Sequence, residues 1–560
     1  MNRRGDECIR MDDAIKKPRI DDKLCIGCGI CPKKCPFGAI TIVNLPTELS
    51  STPVHRYGQN GFHLFNLPIP LFGKVVGIIG KNGIGKTTAL GILSGILSPN
   101  FGKDDFKAST KELIEQYKGT ELHNFFEKLA KNEIIVSYKP QQVSLIPKAY
   151  KGTVHELLKE RDEKKQLKEI AKKLEIDNIL DRKLEQISGG ELQRVAIAAT
   201  VLKKANVYFF DEPSSYLDIK QRIKVSRFIK ELADENTAVL LVEHDLIILD
   251  FMTDYVHIAY GEPGVFGVIS GIQATREGIN EYLSGYLRKQ NVRFRQSQIV
   301  FEEKPAALLR KEKVSAVSWT DIEKDFKGFI LKAKAGDFFR THIIGVLGEN
   351  GIGKTTLARI LAGEIKPDKG EVNENVKVAY KPQYIDTDSK ELVMVFLKNA
   401  ISGFKTDIMI PLELDKYLNS RLCDLSGGEL QRVMLAKVLS EDAGLFLIDE
   451  PSAYLDVEQR LIASKVIRKV TEDKGKTALI VDHDLLFIDY LSDDLMIFEG
   501  KPSIEGNVKG VFSKEDGMNG FLSSLDISMR REQDSKRPRI NKMDSRLDRG
   551  QKSSGKLYYA

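Results

Sequence analysis

Short apolar runs recur along this chain, and each stops at a glycine or an acidic residue. KVVGIIG ends at Gly80, VYFF meets Asp211-Glu212-Pro213 and TAVLLV meets Glu243-His244; later, LFLI meets Asp449-Glu450-Pro451 and TALIV meets Asp482-His483. Runs of this length, bounded in this way, predict strands, and the polar-periodic segments between them predict helices, so the chain reads as α/β. Ser188-Gly189-Gly190-Glu191 and Ser426-Gly427-Gly428-Glu429 each open such a helix. In STKELIEQYKGTELHNFFEKLAKNE, Leu, Ile, Phe and Leu recur at helical spacing around Lys118-Gly119-Thr120, which predicts helix, turn, helix. Residues 155–185 are a Lys/Glu-rich helical stretch whose charges form a solvated face. The richest apolar stretch, TAVLLVEHDLIILDFM, is broken by Glu243, His244 and Asp245. It falls short of the roughly 18 apolar residues a membrane span needs, so none is expected.

The two halves of the chain are copies. LEQISGGELQRVAIAATVLKKANVYFFDEPSSYLD at 184–218 is matched by LCDLSGGELQRVMLAKVLSEDAGLFLIDEPSAYLD at 422–456. Lys86 and Lys354 lie 268 residues apart, but Ser188 and Ser426 only 238, so the first half carries 30 extra residues. Of these, 26 fall between Lys86 and Gln141, which places the insertion near 105–132, on the predicted helix pair. Long insertions in compact domains often bind something; a mere surface elaboration is the alternative.

The repeated segments carry phosphate chemistry. Gly80-x4-Gly85-Lys86-Thr87 and Gly348-x4-Gly353-Lys354-Thr355 each join a strand to a helix, the setting of a P-loop. There the backbone around Gly80, Asn82, Gly83 and Gly85, and around Gly348, Asn350, Gly351 and Gly353, cradles phosphates. Lys86 and Lys354 reach the β- and γ-phosphates, while Thr87 and Thr355, beside Thr88 and Thr356, hold magnesium. Asp211 and Asp449 assist the metal, and Glu212 and Glu450 orient or deprotonate the attacking water. Gln141 and Gln383 follow Lys-Pro, and His244 and His483 read as γ-phosphate sensors. Each Ser-Gly-Gly-Glu helix lies across its domain from its own P-loop, so each ATP is expected between halves. One site would join Lys86, Thr87, Gln141, Asp211, Glu212 and His244 to Ser426–Glu429, and the other their second-half counterparts to Ser188–Glu191. Tyr57, 16 residues before Gly73, and Trp319, 17 before Gly336, are candidates to stack on adenine, with an ordinary core aromatic as the alternative.

Near the start, Cys25-x2-Cys28-x2-Cys31-x3-Cys35-Pro36 has the spacing that wraps a [4Fe-4S] cluster; structural zinc usually takes two separated cysteine pairs. Of the six cysteines, only Cys8 and Cys423 lie outside this run. A two-cluster domain needs eight thiolates. Either a start with a second run lies upstream, or one cluster takes Cys35, or else Cys8, as its fourth ligand. The N-terminus MNRRGDECIRMDD has charges where a signal peptide needs an apolar core, which points to the cytoplasm. With 560 residues, 42% hydrophobic, two to four domains are expected. The net charge of +6 sits entirely beyond residue 529, where ten Lys/Arg face four Asp/Glu. Such a tail is either a solvated disordered end or a contact for an anionic partner such as RNA.

The motifs resemble the Walker and signature segments of ATP-binding cassette (ABC) proteins. A ferredoxin run followed by two cassettes resembles ABC subfamily E, the ribosome-recycling ATPases also called the RNase L inhibitor family. The likeness runs from about residue 20 to the C-terminus and includes Arg276-Glu277-Gly278-Ile279-Asn280 and Arg537-Pro538-Arg539-Ile540-Asn541 after the cassettes. These paired Arg/Asn elements suggest a brace between cassettes, with simple linkers as the alternative. Gln142 stands where the family commonly has Tyr, Asp482 where it has Glu, and the family's first cysteine-rich stretch is missing.

The resemblance implies two tandem P-loop nucleotide-binding domains preceded by a small ferredoxin-like domain. The boundaries are 1–45 for an incomplete iron-sulfur domain, 46–275 for the first cassette, 276–310 for a hinge, 311–520 for the second cassette and 521–560 for a second hinge and tail. It implies ATP, Mg2+ and a [4Fe-4S] cluster as cofactors, and a monomer whose cassettes pair within the chain. It also implies ribosome splitting, with the small subunit and rRNA, release-factor-like proteins and initiation factors as partners. An iron-sulfur ABC ATPase of another RNA or transport-linked process is the alternative.

Overall fold

The computed structural model describes residues 7–12, 17–20, 30–34, 51–58, 61–103, 105–301, 314–373, 377–383, 389–533 and 535–559. Its frame is a pair of twisted sheets with the same strand order. In the first, Val75–Gly80 lies between Tyr255–Glu262 and Ala238–Val242, followed outward by Val207–Asp211 and Val136–Lys139. Those neighbours all run parallel, and the strands Val75–Gly80, Val207–Asp211 and Ala238–Val242 are buried at every position. Helices cover both faces of such strands, which is why they read as unbroken apolar runs rather than alternating ones. The other edge turns antiparallel through Phe266–Ile269 and ends on the hairpin His55–Arg56/His63–Phe65. In the second sheet Ile343–Leu347 holds the central place, between Asp494–Lys501 and Thr477–Val481, with Leu445–Asp449 and Val378–Lys381 beyond.

The insertion forms two helices, Thr110–Gln116 and Glu121–Ala130, joined at Gly119, whose φ of +81° suits a residue without a side chain. Ser109 and Glu112 form a capping box on the first helix. Leu113, Leu122, Phe125 and Phe126 are buried against the first cassette's core, so the pair is anchored there.

The basic end is not a disordered tail. Its residues form the hairpin Met529–Arg531/Pro538–Ile540 and the helix Arg546–Ser554. Arg537 is fully buried, and both Arg537 and Arg539 bond to Asp250 on the helix Leu246–Met252 of the first cassette, at 3.2 and 2.5 Å. Arg276 at the end of the first cassette bonds Glu532 of the same hairpin at 3.0 Å. On the other side, the Tyr558 hydroxyl bonds Asp489 of the second cassette. Arg537 and Arg539 are drawn inward because the buried Asp250 carboxylate offsets their desolvation, while Lys536, Lys542, Arg546, Arg549 and Lys556 stay exposed.

Among the described residues no helix is long and apolar enough to cross a membrane. Cys25, Cys28 and Cys35 lie outside the described residues; Cys31 is half-buried on the short helix Ile30–Lys34, and Cys8 is buried.

Candidate active site

The strand Val75–Gly80 delivers the chain to a loop whose Gly83 and Gly85 have φ of +73° and +84°, and the helix Lys86–Leu93 starts from it. Ile343–Leu347 does the same for Gly351 and Gly353, at +74° and +91°, before Lys354–Leu361. The Lys86 amine curls back to donate to the carbonyls of Gly80 and Lys81 at 2.9 and 2.6 Å. Lys354 donates to Gly348 and Glu349 at 2.7 and 2.9 Å. Burial pulls both lysines down, Lys354 to about 8, with neighbouring carboxylates opposing it.

Strand ends bring the carboxylates to the same place. The Thr87 hydroxyl donates to Asp211 at 2.7 Å and the Thr355 hydroxyl to Asp449 at 2.6 Å. Asp211 Oδ1 is buried with no hydrogen-bond partner among the described residues, a donor set that fits a hard cation held by hydroxyl and carboxylate oxygens. Gln141 and Gln383 donate to Glu212 and Glu450 at 2.6 and 2.7 Å. His244 and His483 lie 3.5 and 3.7 Å from the same two glutamates. Glu212 and Glu450 have φ of +48° and +47°, a left-handed conformation that is costly for a side-chain-bearing residue and is repeated here in both halves.

The two glutamates differ in surroundings. Ser215 donates to Glu212 at 3.0 Å, while the matching position in the second cassette is Ala453. Burial pushes Glu212 up, but the proximity of His244, then the charge of Lys86 and the Ser215 hydroxyl, prevail and hold it at about 2. Burial, followed by the charges of Asp449 and Asp482, pushes Glu450 up to about 7. Asp482 instead accepts from the amide and hydroxyl of Ser452, at 2.9 and 2.7 Å.

Each P-loop touches the other cassette. Asn82 donates its amide to Asp456 at 3.1 Å and its side-chain NH2 to the Tyr454 carbonyl at 3.1 Å; Asn350 donates its amide to Asp218 at 3.0 Å. Tyr454 in turn lies on the signature of its own cassette, where a Cβ added to Gly428 would sit 2.9 Å from the Tyr454 carbonyl. Gly190 meets Tyr216 in the same way. The signatures Ser188–Glu191 and Ser426–Glu429 therefore stand beside the opposite P-loops through the Tyr-Leu-Asp turns. Ser188 and Ser426 cap their helices in boxes with Glu191 and Glu429. At the centre, Asp245 and Asp484 cap the helices that follow the two histidines and are held by Arg222 and Arg460, at 3.0 and 2.5 Å. Burial and then the charge of Asp484 raise Asp245 to about 6, a sign of how closely the cassettes meet there.

Trp319 is not available to a base. It is 4% exposed, packs edge-on against Phe338 and donates its indole N–H to the Lys334 carbonyl at 2.8 Å. Tyr57 is 47% exposed, at the turn after His55–Arg56, with its hydroxyl 3.3 Å from Thr88. Its positional counterpart is Phe326, 44% exposed at the turn after Ile322–Asp325, since each flanking hairpin continues into a strand that joins its sheet in the same way. Spacing to the next strand obscured this match because the hairpins differ in length; an aromatic at the hairpin turn was the signal. Also missed were Lys139 and Lys381, buried donors to the Asp211 and Asp449 carbonyls at 2.8 and 2.7 Å. Gln193 and Gln431, which bond the Glu212 and Glu450 carbonyls at 2.7 and 2.5 Å, were missed as well. All four recur at equal places in the two halves.

Two cassettes facing each other, each completing the other's P-loop, define a twin-cassette ABC ATPase with an iron-sulfur module. The ABC transporter family matches residues 71–215 and 331–453, and the 4Fe-4S binding domain family matches 18–41. The translation initiation factor RLI1 of Chaetomium thermophilum is 44% identical, over 100% of this chain and 93% of its own length. Among solved structures, an archaeal ribosome recycling factor, aABCE1, in complex with the ribosomal stalk protein aP1 is 48% identical with a TM-score of 0.86, covering 92% of this chain and 100% of that one. A model of ribosome-bound archaeal Pelota and ABCE1 is 50% identical with the same TM-score, covering 100% and 95%. The chain belongs to ABC subfamily E, the RNase L inhibitor family.

Proposed function

We propose that this ATPase splits ribosomes into subunits, using closure of its cassettes on two ATP molecules as the working stroke. The observation that carries the reading is the reciprocal contact of each P-loop with the opposite Tyr-Leu-Asp turn in a chain that also bears a ferredoxin run. A γ-phosphate at Lys86 lies between the cassettes, so its presence favours the closed pair and its loss frees them. Lys86, Thr87 and Asp211 would bind the phosphates and magnesium; Glu212, positioned by Gln141 and His244, orients or deprotonates the attacking water, and Ser426 with Gly428 closes the site. Lys354, Thr355, Asp449, Glu450, Gln383 and His483 act with Ser188 and Gly190 at the second site. Tyr57 and Phe326 take the adenines. Thiolates of Cys25, Cys28, Cys31 and Cys35 would hold the cluster. The insertion helices and the small subunit's rRNA form one contact, and release-factor-like proteins and initiation factors act on the same particle.

Gradient sedimentation with purified ribosomes tests this. Non-hydrolysable ATP is expected to leave the chain on the small subunit, and ATP with a release-factor-like helper to convert 70S or 80S particles to subunits. Particles that stay whole under both conditions would sink the proposal.

A further inference from the structure

The contacts that join the cassettes are nearly copies of one another, but at one position in each the charges are exchanged. Asn82 meets Asp456, and Asn350 meets Asp218, through the same amide-to-carboxylate bond. Just before Asn82 stands Lys81, which pairs with Glu458, two residues past Asp456, at 2.8 Å. Just before Asn350 stands Glu349, which pairs with Lys220, two residues past Asp218, at 2.6 Å. Arg295 of the linker, 3.9 Å from Glu458, adds a further cation to the first contact.

Cassette 1 thus presents lysine at both contact positions and cassette 2 presents glutamate at both. We propose that this exchange is a pairing code: it selects the opposite cassette of the same chain and rejects the like cassette of a second copy. Joining cassette 1 to cassette 2 makes two attractive pairs. Joining cassette 1 to another cassette 1 sets Lys81 against Lys220 twice, and joining cassette 2 to its like sets Glu349 against Glu458 twice. An arrangement with lysine at both P-loops and glutamate after both turns would hold the chain's own cassettes equally well, yet would make every like pairing attractive. What the exchange adds is therefore selectivity rather than strength.

Selectivity is needed because the backbone contacts at the P-loops do not discriminate. The Asn–Asp bonds and the Tyr-Leu-Asp turns are present in both cassettes, so like cassettes offer each other the same backbone contacts. The linker raises the local concentration of the correct partner, but only while that partner is within reach. Each pair touches solvent, so alone it stabilises little; rejection counts two pairs per interface and changes their sign. The code holds whatever the closed cassettes act upon.

Tyr216 and Tyr454 supply a readout that does not depend on charge, because the two rings lie close to each other across the interface. Photo-oxidative dityrosine coupling of mixed heavy- and light-isotope full-length chains, with ATP, is expected to join 216 to 454 within one chain. A 216–216 or 454–454 link arises only between two chains. In K81E two carboxylates face each other at the first contact, and the KM for ATP at low salt should rise about threefold or more; E458K in the same chain restores the pair and recovers part of that rise, Arg295 then opposing the new lysine. That double variant keeps both internal pairs attractive but makes like pairings attractive too. Its 216–216 and 454–454 links should rise about tenfold over the native chain and grow with concentration. The fourfold exchange K81E/K220E/E349K/E458K restores the code with signs inverted, and those links should fall back to the native level. Equal like-to-like links in the native chain and the double variant, or a fourfold variant that stays as promiscuous as the double, would overturn the code. The coupling requires only ATP, so a failure to split ribosomes would leave it standing.

Discussion

Replacing Asp250 by alanine tests the brace that ties the C-terminal hairpin to the first cassette. Asp250 takes Arg537 Nη1 at 3.2 Å and Arg539 through two bonds at 2.5 and 2.9 Å, across 287 and 289 residues of chain. Its side chain is 4% exposed, that of Arg537 0% and that of Arg539 15%. Arg537 Nε and Nη2 have no partner among the described residues, so without Asp250 the guanidinium keeps only the Leu246 carbonyl at 3.4 Å. Removing one partner of a buried pair costs about 3–5 kcal/mol, and the partial exposure of Arg539 puts this case near the lower end, about 3 kcal/mol. If that falls on docking of the hairpin, the docking constant drops by roughly a hundredfold. Limited trypsin cleavage at Arg530 and Arg531 reads the open fraction when opening is fast, so the variant should be cut about a hundredfold faster. Asp250→Leu with Arg537→Met and Arg539→Met replaces the carboxylate and both of its cations by apolar groups and should recover much of the protection. Cleavage of Asp250→Ala within twofold of the native rate would refute the reasoning.

Glu212→Gln and Glu450→Gln should each keep ATP binding and slow single-turnover hydrolysis at their own site by about a hundredfold or more. Because Ser215 has no counterpart beside Glu450, steady-state turnover should fall unequally; equal rates would count against two distinct working sites. Phe326→Ala and Tyr57→Ala should each raise the KM for ATP about tenfold through lost stacking. Trp319→Phe should leave KM alone and lower the melting temperature, and the reverse pattern would restore Trp319 as the base contact. Lys111→Glu with Lys118→Glu, both exposed on the insertion, should weaken sedimentation with ribosomes severalfold at low salt while ATPase stays within twofold; the opposite result makes the insertion a structural support. Iron and acid-labile sulfide on the chain purified without oxygen should not exceed about four each, the content of one cluster. Zinc without sulfide would overturn the cluster.

The P-loops, the signatures and the Asp-Glu pairs were legible in the sequence because their chemistry is local. A phosphate cradle needs contiguous amides, and a strand buried on both faces must be an unbroken apolar run ending where its carboxylates emerge. The repeat made each motif count twice, and the helix pair of the insertion showed in its own periodicity. What only the tertiary structure decided lies between segments far apart in the chain. Trp319 and Phe326 are seven residues apart, and their fates depend on which packs into the core and which is left exposed at the hairpin turn. By sequence the tail reads as a solvated cationic end or a contact for an anionic partner, because its few carboxylates cannot balance ten cations; for Arg537 and Arg539 the balancing carboxylate is Asp250, nearly 290 residues away. Lys81 and Glu458 give no local signal at all. Each is an ordinary surface charge until the halves close, and the exchange of sign between the two contacts acquires meaning only from the pseudosymmetry that sets one beside the other.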